Sequence, residues 1–337
     1  MISTMMKRPL LTVVSIADER FFPGLEVAVA SAVAAASGNY DYQILIIDGG
    51  LAADSLAGLG RRIADIAVRK GISATLEPLV IDSDRMSILP ERRGSRMAYA
   101  KLILPDILPH LESIIYLDAD VLCFAGLETV HPPPDETHWL LVGAQDFHDV
   151  IEKDCPWLDQ VPMAERRLPY INTGVMWMNL AGLRGVDFTT RSIACTAKGP
   201  IRYADQTVLN FLCRGRSYIL PDAINHRTSI GATRPLCEGN LDLNIHFIGS
   251  PKPWLGPPKT SNWLAHQLWH QAHAALVSGI KPVSNATPPH DHSAIRRKAI
   301  LYSITNRARA RHYRSDLLSL SDPGGVVAKA AQRWEAV

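Results

Sequence analysis

The 337-residue sequence lacks the features that identify several common classes of protein. Its five cysteines are odd in number, dispersed and form no C-x-x-C pair, which favours a reducing compartment over a disulfide framework or a zinc knuckle. It contains no P-loop and no G-x-G-x-x-G, which argues against nucleotide phosphoryl transfer and NAD chemistry. No uncharged run reaches about 18 strongly apolar residues, so we expect no transmembrane helix.

The sequence also lacks a large excess of positive or negative charge. The 35 Lys and Arg residues nearly balance the 33 Asp and Glu residues, and the net charge of +2 does not demand a nucleic-acid partner. A hydrophobic fraction of 47% and a charged fraction of 20% are typical of a globular protein. The length accommodates one large α/β domain or two smaller ones.

Strand-like and helix-like segments alternate along the chain. Strand patterns cover residues 12–16, 43–47, 73–81, 114–117, 140–144, 174–180 and 243–248, and helix patterns cover 26–36, 56–70, 97–109 and 205–213. This alternation predicts an α/β fold with a mostly parallel central sheet and helices on both faces. The polar, proline-containing stretch 147–169 is predicted to be a loop or lid rather than core.

Residues 114–121 (IIYLDADV) carry the strongest functional signal, because a buried strand ends there in Asp118 and Asp120. In an open α/β sheet, ligands bind outside the carboxyl ends of the strands. Two neighbouring carboxylates repel each other unless a cation lies between them, and carboxylate oxygens suit Mg²⁺ or Mn²⁺. The pattern therefore indicates a metal site that holds a diphosphate, although aspartate is also common in turns and at helix N-caps.

Further motifs follow in the second half of the chain. Residues 169–174 (PYINTG) precede an apolar strand, where Asn and Gly permit close approach of a ligand. Residues 203–207 (YADQT) open a helix, and Asp205 taken alone is most simply an N-cap. Residues 246–254 (HFIGSPKPW) combine a histidine, a turn and a lysine that can supply a metal ligand and a phosphate cradle. A lone histidine there is more often structural.

In this order the motifs resemble glycosyltransferase family 8, which includes bacterial lipopolysaccharide galactosyl- and glucosyltransferases and, more distantly, glycogenin. The resemblance runs from about residue 12 to residue 254. It implies a Rossmann-like nucleotide-diphospho-sugar transferase fold of the GT-A type. We accordingly expect residues 1–277 to form a catalytic domain that binds a nucleotide sugar, and residues 278–337 to form a basic helical C-terminal tail.

The resemblance also implies roles for individual residues. The implied metal ligands are Asp118, Asp120 and His246, and the implied metal is Mn²⁺ or Mg²⁺. The implied contacts to the nucleotide sugar are Asp18 near the uracil, Lys101, Ala119, Asp146 and Asn172 in the sugar pocket, and Gly249 and Lys252 on the diphosphate. Asp205 and Gln206 match the Asp-Gln pair at the reactive face of the sugar and are the implied catalytic residues.

Three positions depart from the family pattern. Arg20 stands where bacterial relatives often have asparagine, which puts the ribose contacts in doubt. Lys101 stands where many relatives have arginine, so the charge is kept but the bidentate geometry is lost. Thr207 stands where an acid often follows the Asp-Gln pair, so sugar recognition is expected to differ in detail.

The resemblance implies a retaining enzyme that moves galactose or glucose from a UDP-sugar to a saccharide or glycolipid acceptor such as lipopolysaccharide. A glutamine oxygen is a poor nucleophile, so we expect front-face attack within an ion pair rather than double displacement. The alternatives on the same fold are a metal-dependent hydrolase or phosphotransferase acting on nucleotide sugars, and a non-catalytic nucleotide-sugar-binding protein.

The end of the chain is basic and interleaved with apolar residues. Between residues 296 and 316, seven Arg and Lys residues accompany the single acid Asp316. This composition suits an amphipathic segment on an anionic membrane surface, or equally a solvated helical tail or a disordered arm. We expect a cytoplasmic protein, peripheral on the inner face of the cytoplasmic membrane, with no nucleic-acid partner.

Overall fold

The computed structural model describes residues 8–92, 94–133, 138–199, 201–228, 236, 241–256, 263–281, 296–297, 299–301, 303 and 323–335. The strands are β1 (Leu10–Ala17), β2 (Asp41–Asp48), β3 (Ala74–Val80), β4 (Ser113–Leu117), β5 (Val121–Cys123), β6 (Leu141–Val150), β7 (Pro169–Asn179), β8 (Ser217–Leu220), β9 (His226–Arg227) and β10 (Asn244–His246). The α-helices are α1 (Phe22–Ala34), α2 (Ala53–Arg69), α3 (Ser83–Ser87), α4 (Leu104–Ile107), α5 (Leu180–Gly185), α6 (Phe188–Thr196), α7 (Asp205–Leu212), α8 (Trp263–Ala272) and a C-terminal helix (Pro323–Glu335).

Shorter helical segments connect these elements. The 3₁₀ helices are Met97–Ile103, Leu127–Thr129, Ile151–Lys153, Leu158–Gln160, Met163–Glu165 and Asp222–Asn225, and a π-helical turn, His273–Val277, continues α8. None of the helices in the described part of the chain is long and apolar enough to cross a membrane.

A seven-stranded sheet in the order β3-β2-β1-β4-β7-β6-β8 forms the centre of the molecule. Strand β7 pairs antiparallel with both β4 and β6, whereas every other pair in this sheet is parallel. The predicted mostly parallel α/β sheet is therefore confirmed. The reversal has a direct consequence, because the beginning of β7 meets the carboxyl ends of β1 and β4 at one edge of the sheet.

A second, three-stranded sheet in the order β5-β10-β9 extends from that edge. Strand β5 starts immediately after Asp120, and its antiparallel register with β10 places His246 opposite Val121. Backbone pairing thus brings together two motifs that are more than 120 residues apart in the sequence.

Hydrophobic periodicity explains why these elements form and where they pack. Along β1 the side chains alternate, so Val13 belongs to the hydrophobic core on one face of the sheet, the first core, and Val14 to that on the other face, the second core. In α2 the buried residues recur at helical spacing, as Leu56, Leu59 and Ile63 show. Each fully buried aliphatic side chain contributes on the order of 1.5–3 kcal/mol. Cores on both faces confirm the predicted arrangement of helices.

Three predicted elements differ from the structure. The strand predicted over 174–180 begins five residues earlier, so the PYINTG segment forms the start of β7 rather than preceding it. The helix predicted over 97–109 is a 3₁₀ helix followed by the short α4, because Pro105 removes a backbone donor within the segment. The prediction that 147–169 lies outside the core is wrong in part. Strand β6 continues to Val150, and four side chains beyond it are buried in the second core, namely Ile151, Cys155, Trp157 and Val161. Their irregular spacing follows 3₁₀ turns and so gives no helical or strand period.

The C-terminal helix packs against the first core. Val326, Val327 and Trp334 are buried there, and the Trp334 ring lies 4.9 Å from the Phe124 ring. This part of the expected tail is therefore a packed element. Most of the basic stretch 296–316 lies outside the described residues, and the division at residue 277 stays a prediction.

Candidate functional site

Three side chains converge beyond the carboxyl end of β4. Asp118, Asp120 and His246 each offer a ligand atom, and these atoms lie within 4.8 Å of one another. His246 Nε2 lies 3.2 Å from Asp120 Oδ1 and 3.7 Å from Asp118 Oδ2. Two carboxylates and one imidazole form a donor set that suits Mn²⁺ and similar divalent cations.

The backbone holds this cluster in place and leaves room for it. The Asp118 N–H donates to the Gly174 carbonyl at 2.7 Å, and the Phe247 N–H donates to the Asp120 carbonyl at 2.9 Å. A Cβ on Gly174 would collide with the His246 ring and would lie 3.0 Å from Asp118 Oδ2. Glycine is therefore required where β7 passes the three ligands.

Lys252 supplies a positive charge beside Asp120. Its ammonium contacts Asp120 Oδ2 and donates to the Phe247 carbonyl at 2.7 Å. Burial alone would raise the pKa of Asp120, but Lys252 and His246 outweigh this effect and hold the pKa well below its ordinary value. Asp120 is therefore ionised at neutral pH, as a metal ligand must be.

Lys101 supplies a second cation, which is buried and contacts the other aspartate, Asp118. Its Nζ lies 3.3 Å from Asp118 Oδ1 and 2.8 Å from Asp205 Oδ2, and it donates to the Thr173 carbonyl at 3.2 Å. Burial lowers the pKa of Lys101, but the two carboxylates outweigh it and raise the pKa above its ordinary value. The Tyr116 hydroxyl also donates to Asp118, at 2.9 Å.

The Asp-Gln pair lies at the start of α7, next to Lys101. Ala204 is the N-cap of this helix and makes no side-chain capping bond, so Asp205 is an ion-pair partner rather than a cap. Ala204 has a φ of 51°, in a region that favours glycine. Gln206 Oε1 accepts a hydrogen bond from the Thr173 N–H at 3.2 Å. The strained turn and this bond fix both side chains against β7.

Asp146 and Asn172 form a second polar pair near the start of β7. Asn172 Nδ2 donates to Asp146 Oδ2 at 2.8 Å, while Asn172 Oδ1 accepts from the Gly174 N–H at 3.1 Å. Asn225, which is fully buried, also donates to Asn172 Oδ1, at 2.7 Å. These bonds connect the predicted sugar-pocket residues to the strand that passes the metal cluster.

The family model for glycosyl transferase family 8 matches residues 12–256 of the chain. The chain belongs to glycosyltransferase family 8. The family suggested by the order of the motifs is thus confirmed.

Curated relatives share part of the sequence. Lipopolysaccharide 1,2-glucosyltransferase of Escherichia coli strain K12 is 27% identical over 216 residues, which cover 58% of this chain and 60% of that protein. A putative glycosyltransferase of Haemophilus influenzae is 26% identical over 167 residues, covering 48% and 49% respectively. The chain thus spans 60% or less of the length of these curated relatives.

Solved structures establish the fold. The galactosyltransferase LgtC, crystallised with donor and acceptor sugar analogs, matches with a TM-score of 0.62 at 22% identity, covering 81% of this chain and 97% of that one. The glycosyltransferase GlyE of Streptococcus pneumoniae TIGR4 matches with a TM-score of 0.54 at 17% identity, covering 83% and 66%. The expected Rossmann-like fold of the GT-A type is confirmed.

The structure brings most of the residues implied by family 8 into one network, but two lie apart from it. Within the described residues, neither Asp18 nor Gly249 has a hydrogen bond or ion pair to the three candidate ligands. Asp18 directly follows β1 and pairs with the exposed Arg20, whose Nη2 lies 3.3 Å from Asp18 Oδ2. Gly249 lies in the turn after β10 with a φ of 80°. Ala119 is buried between the two ligand aspartates.

The segment that carries Lys252 returns to the end of β1, beside Asp18. The Trp254 indole donates to the Arg20 carbonyl at 2.9 Å, and its ring meets the Phe21 ring edge-on at 5.8 Å. Lys252 Nζ lies 5.8 Å from the centre of the same Phe21 ring. Asp18 is thus near the Lys252 side of the cluster without contacting it.

The family's acidic position after the Asp-Gln pair is filled differently here. Thr207 donates to Asp154 Oδ2 at 2.6 Å, and the Tyr170 hydroxyl donates to the same oxygen at 2.6 Å. An acid is therefore present beside this position, but it comes from the 147–169 segment.

Sequence reasoning missed several residues of the site. Tyr116, Thr173, Gly174 and Asn225 hold the predicted ligands in position. Tyr116 and Gly174 are within quoted motifs, but their roles depend on which strands pair. Asn225 lies in the irregular segment 222–244, which was expected to contribute to the acceptor pocket, but no motif singled it out, because an isolated asparagine before a two-residue strand has no pattern.

Proposed function

We propose that this chain is a metal-dependent, retaining hexosyltransferase that moves galactose or glucose from a UDP-sugar to a lipopolysaccharide-type acceptor. The observation that carries the proposal is the cluster of Asp118, Asp120 and His246 between the cations Lys101 and Lys252. Family membership supports a glycosyltransferase, and the name of the Escherichia coli relative supports lipopolysaccharide as the acceptor class.

The residues present suit a divalent cation. Asp118, Asp120 and His246 would hold it, and the glycine at position 174 leaves the space that the ligand set requires. When bound, the cation would act as a Lewis acid that stabilises the negative charge of the departing diphosphate. Lys252 would place a second positive centre where that charge develops.

The other side of the site is built to position a sugar. Asp146 and Asn172 present a carboxylate and an amide whose orientation is fixed by their mutual bond. Asp205 is paired with Lys101, which reduces its nucleophilicity, and Gln206 is held by the β7 backbone. These constraints support front-face attack. We expect no covalent glycosyl-enzyme in intact mass spectra, and detection of one would overturn this part of the proposal.

Calorimetric titration with UDP tests the donor site. We expect binding in the presence of Mn²⁺ that is lost in excess EDTA and in the Asp120→Asn variant. Asp159→Asn is a matched control, since Asp159 is exposed on a 3₁₀ helix. No binding under either condition would overturn the proposed donor.

Turnover assays test the reaction itself. We expect transfer of radiolabelled hexose from UDP-galactose or UDP-glucose to truncated lipopolysaccharide, with an Asp120→Asn rate at least about 100-fold lower. Release of free sugar without acceptor would instead indicate a hydrolase. Metal-dependent UDP binding without either product would indicate a non-catalytic binding protein.

The cellular site is part of the same proposal. The basic residues between 296 and 316 and the lipid-linked acceptor class support a cytoplasmic enzyme at the inner face of the membrane. We expect cosedimentation with vesicles containing phosphatidylglycerol and none with neutral phosphatidylcholine vesicles. Equal partition with both lipids would contradict charge-driven binding.

A further inference from the structure

We propose that Asn225 is a positioning residue that fixes the His246 ring for metal binding and couples it to the sugar pocket. This inference rests on the proposed metal-dependent donor site. It concerns a residue outside every motif of the site, in the 3₁₀ helix that precedes β9.

Four side chains form a continuous buried chain of hydrogen bonds. His246 Nδ1 lies 3.0 Å from Asn225 Oδ1. Asn225 Nδ2 lies 2.7 Å from Asn172 Oδ1, and Asn172 Nδ2 lies 2.8 Å from Asp146 Oδ2. Asn225 is fully buried, His246 and Asn172 are each 5% exposed, and Asp146 is half-buried. The chain therefore joins a metal ligand to the sugar-pocket acid, and its bonds at Asn225 are closed to water that could replace a partner.

The Gly174 N–H sets the direction of every bond in this chain. It only donates, so Asn172 Oδ1 must face it, and the Asn172 amide nitrogen faces Asp146 Oδ2. Asn172 Oδ1 also accepts from the amide nitrogen of Asn225. Asn225 Oδ1 is left to face His246 Nδ1, which must therefore carry a proton.

The consequence for His246 follows directly. In the neutral ring, a proton on Nδ1 leaves the lone pair on Nε2, and Nε2 faces Asp118 and Asp120. Metal-binding histidines usually donate their other ring N–H to an oxygen, which fixes the tautomer and the ring orientation. Here the acceptor is the amide oxygen of Asn225, and the amide nitrogen of the same side chain donates to Asn172 and orients it.

Two variants separate the two halves of this role. Asn225→Leu has similar volume but neither accepts nor donates, so the His246 ring loses its partner. We expect its Kd for Mn²⁺ to rise about 10–100-fold, measured from free Mn²⁺ by electron paramagnetic resonance. Asn225→Asp still accepts from His246 but cannot donate to Asn172. We expect its Mn²⁺ affinity to stay within about threefold, and its KM for the UDP-sugar to rise with the Kd for UDP unchanged.

The control is Asn179→Leu. Asn179 likewise makes two side-chain hydrogen bonds, here to backbone groups, but it lies at the far end of β7, about 17 Å along the strand from Gly174. We expect this variant to lower the thermal midpoint without changing Mn²⁺ affinity, which separates a loss of stability from a loss of positioning.

The outcomes distinguish this inference from the function on which it rests. Unchanged Mn²⁺ affinity in Asn225→Leu, with binding by the unaltered protein intact, overturns the inference alone. Equal losses of Mn²⁺ affinity in both variants overturn the acceptor role of Asn225. If Asn225→Leu does not fold, Asn225→Asp is compared with the unaltered protein, and a loss of Mn²⁺ affinity well above threefold overturns the same role. Absence of Mn²⁺ binding by the unaltered protein overturns both the metal site and the inference.

Discussion

Replacement of Trp334 by alanine should destabilise the whole domain, because the C-terminal helix is part of its first core. The indole is 3% exposed and packs against Phe124 with a ring separation of 4.9 Å. Truncation of a buried aromatic residue to alanine costs about 3–5 kcal/mol, and an aromatic pair adds about 0.5–1.5 kcal/mol beyond burial. A loss of that size is a large share of the roughly 5–15 kcal/mol by which a domain is stable.

Urea denaturation followed by tryptophan fluorescence and by circular dichroism measures this loss. We expect the midpoint to fall by about 1 M or more. Trp334→Phe keeps a ring and should lose roughly half as much. Ile300→Ala is the control, because Ile300 is 68% exposed and should change the free energy of unfolding by less than about 0.5 kcal/mol. A loss below about 1 kcal/mol for Trp334→Ala would refute the conclusion that this helix stabilises the domain.

Further predictions concern the metal cluster and a buried histidine. Gly174→Ala should weaken Mn²⁺ binding at least tenfold, because its Cβ displaces His246; unchanged affinity in a titration would contradict this geometry. Mn²⁺ at about 100 times its Kd should raise the unfolding free energy by about 2.7 kcal/mol, and a thermal midpoint that is insensitive to EDTA would argue against a folded-state site. Burial, with His270, lowers the pKa of His266 to about 4 from an ordinary 6.5. The folded state therefore favours the neutral ring of His266. The contribution of this ring to the free energy of unfolding is complete above pH 6.5 and is lost as the pH falls toward 4. Between pH 7.5 and pH 5, the free energy of unfolding measured in urea should fall by about 2 kcal/mol more in the unaltered protein than in His266→Gln. Equal decreases in the two proteins would refute the lowered pKa of His266.

The sequence predicts those elements whose local pattern agrees with their packing. The first three strands and the first two helices each lie within a few residues of the predicted segment. Helix α2 has a clear helical period, whereas α1 is buried on nearly every side and was predicted from its content of alanine and valine. The segment 147–169 failed because its buried residues follow short 3₁₀ turns, and burial is then decided by neighbouring elements. Burial of the C-terminal helix was equally invisible, since small residues such as Ala330 become core residues only through the surface they meet.

The residues of the candidate site likewise fall into those that the sequence predicts and those that it does not. The residues expected to carry charge or bind metal were recognisable because their chemistry is concentrated in short motifs such as the one at Asp118 and Asp120. The residues that orient them were not, because the partners are set by strand register and by a loop that returns from elsewhere in the chain. The roles of Tyr116 and Asn225 depend on their bonds to Asp118 and His246, which form only in the folded chain.

The reversed strand β7 limits how the length of this chain can change during evolution. Asn172 turns toward Asp146 while the adjacent Thr173 meets Lys101 and Gln206 through its backbone. A one-residue deletion just before β7 that slipped its register would exchange the two faces of the strand. Metal, sugar and Asp-Gln contacts would then be lost together. Viable insertions and deletions in relatives should therefore occur where no strand must keep its alignment, and the stretch from Pro169 to Gly174 should keep its length even where its side chains differ.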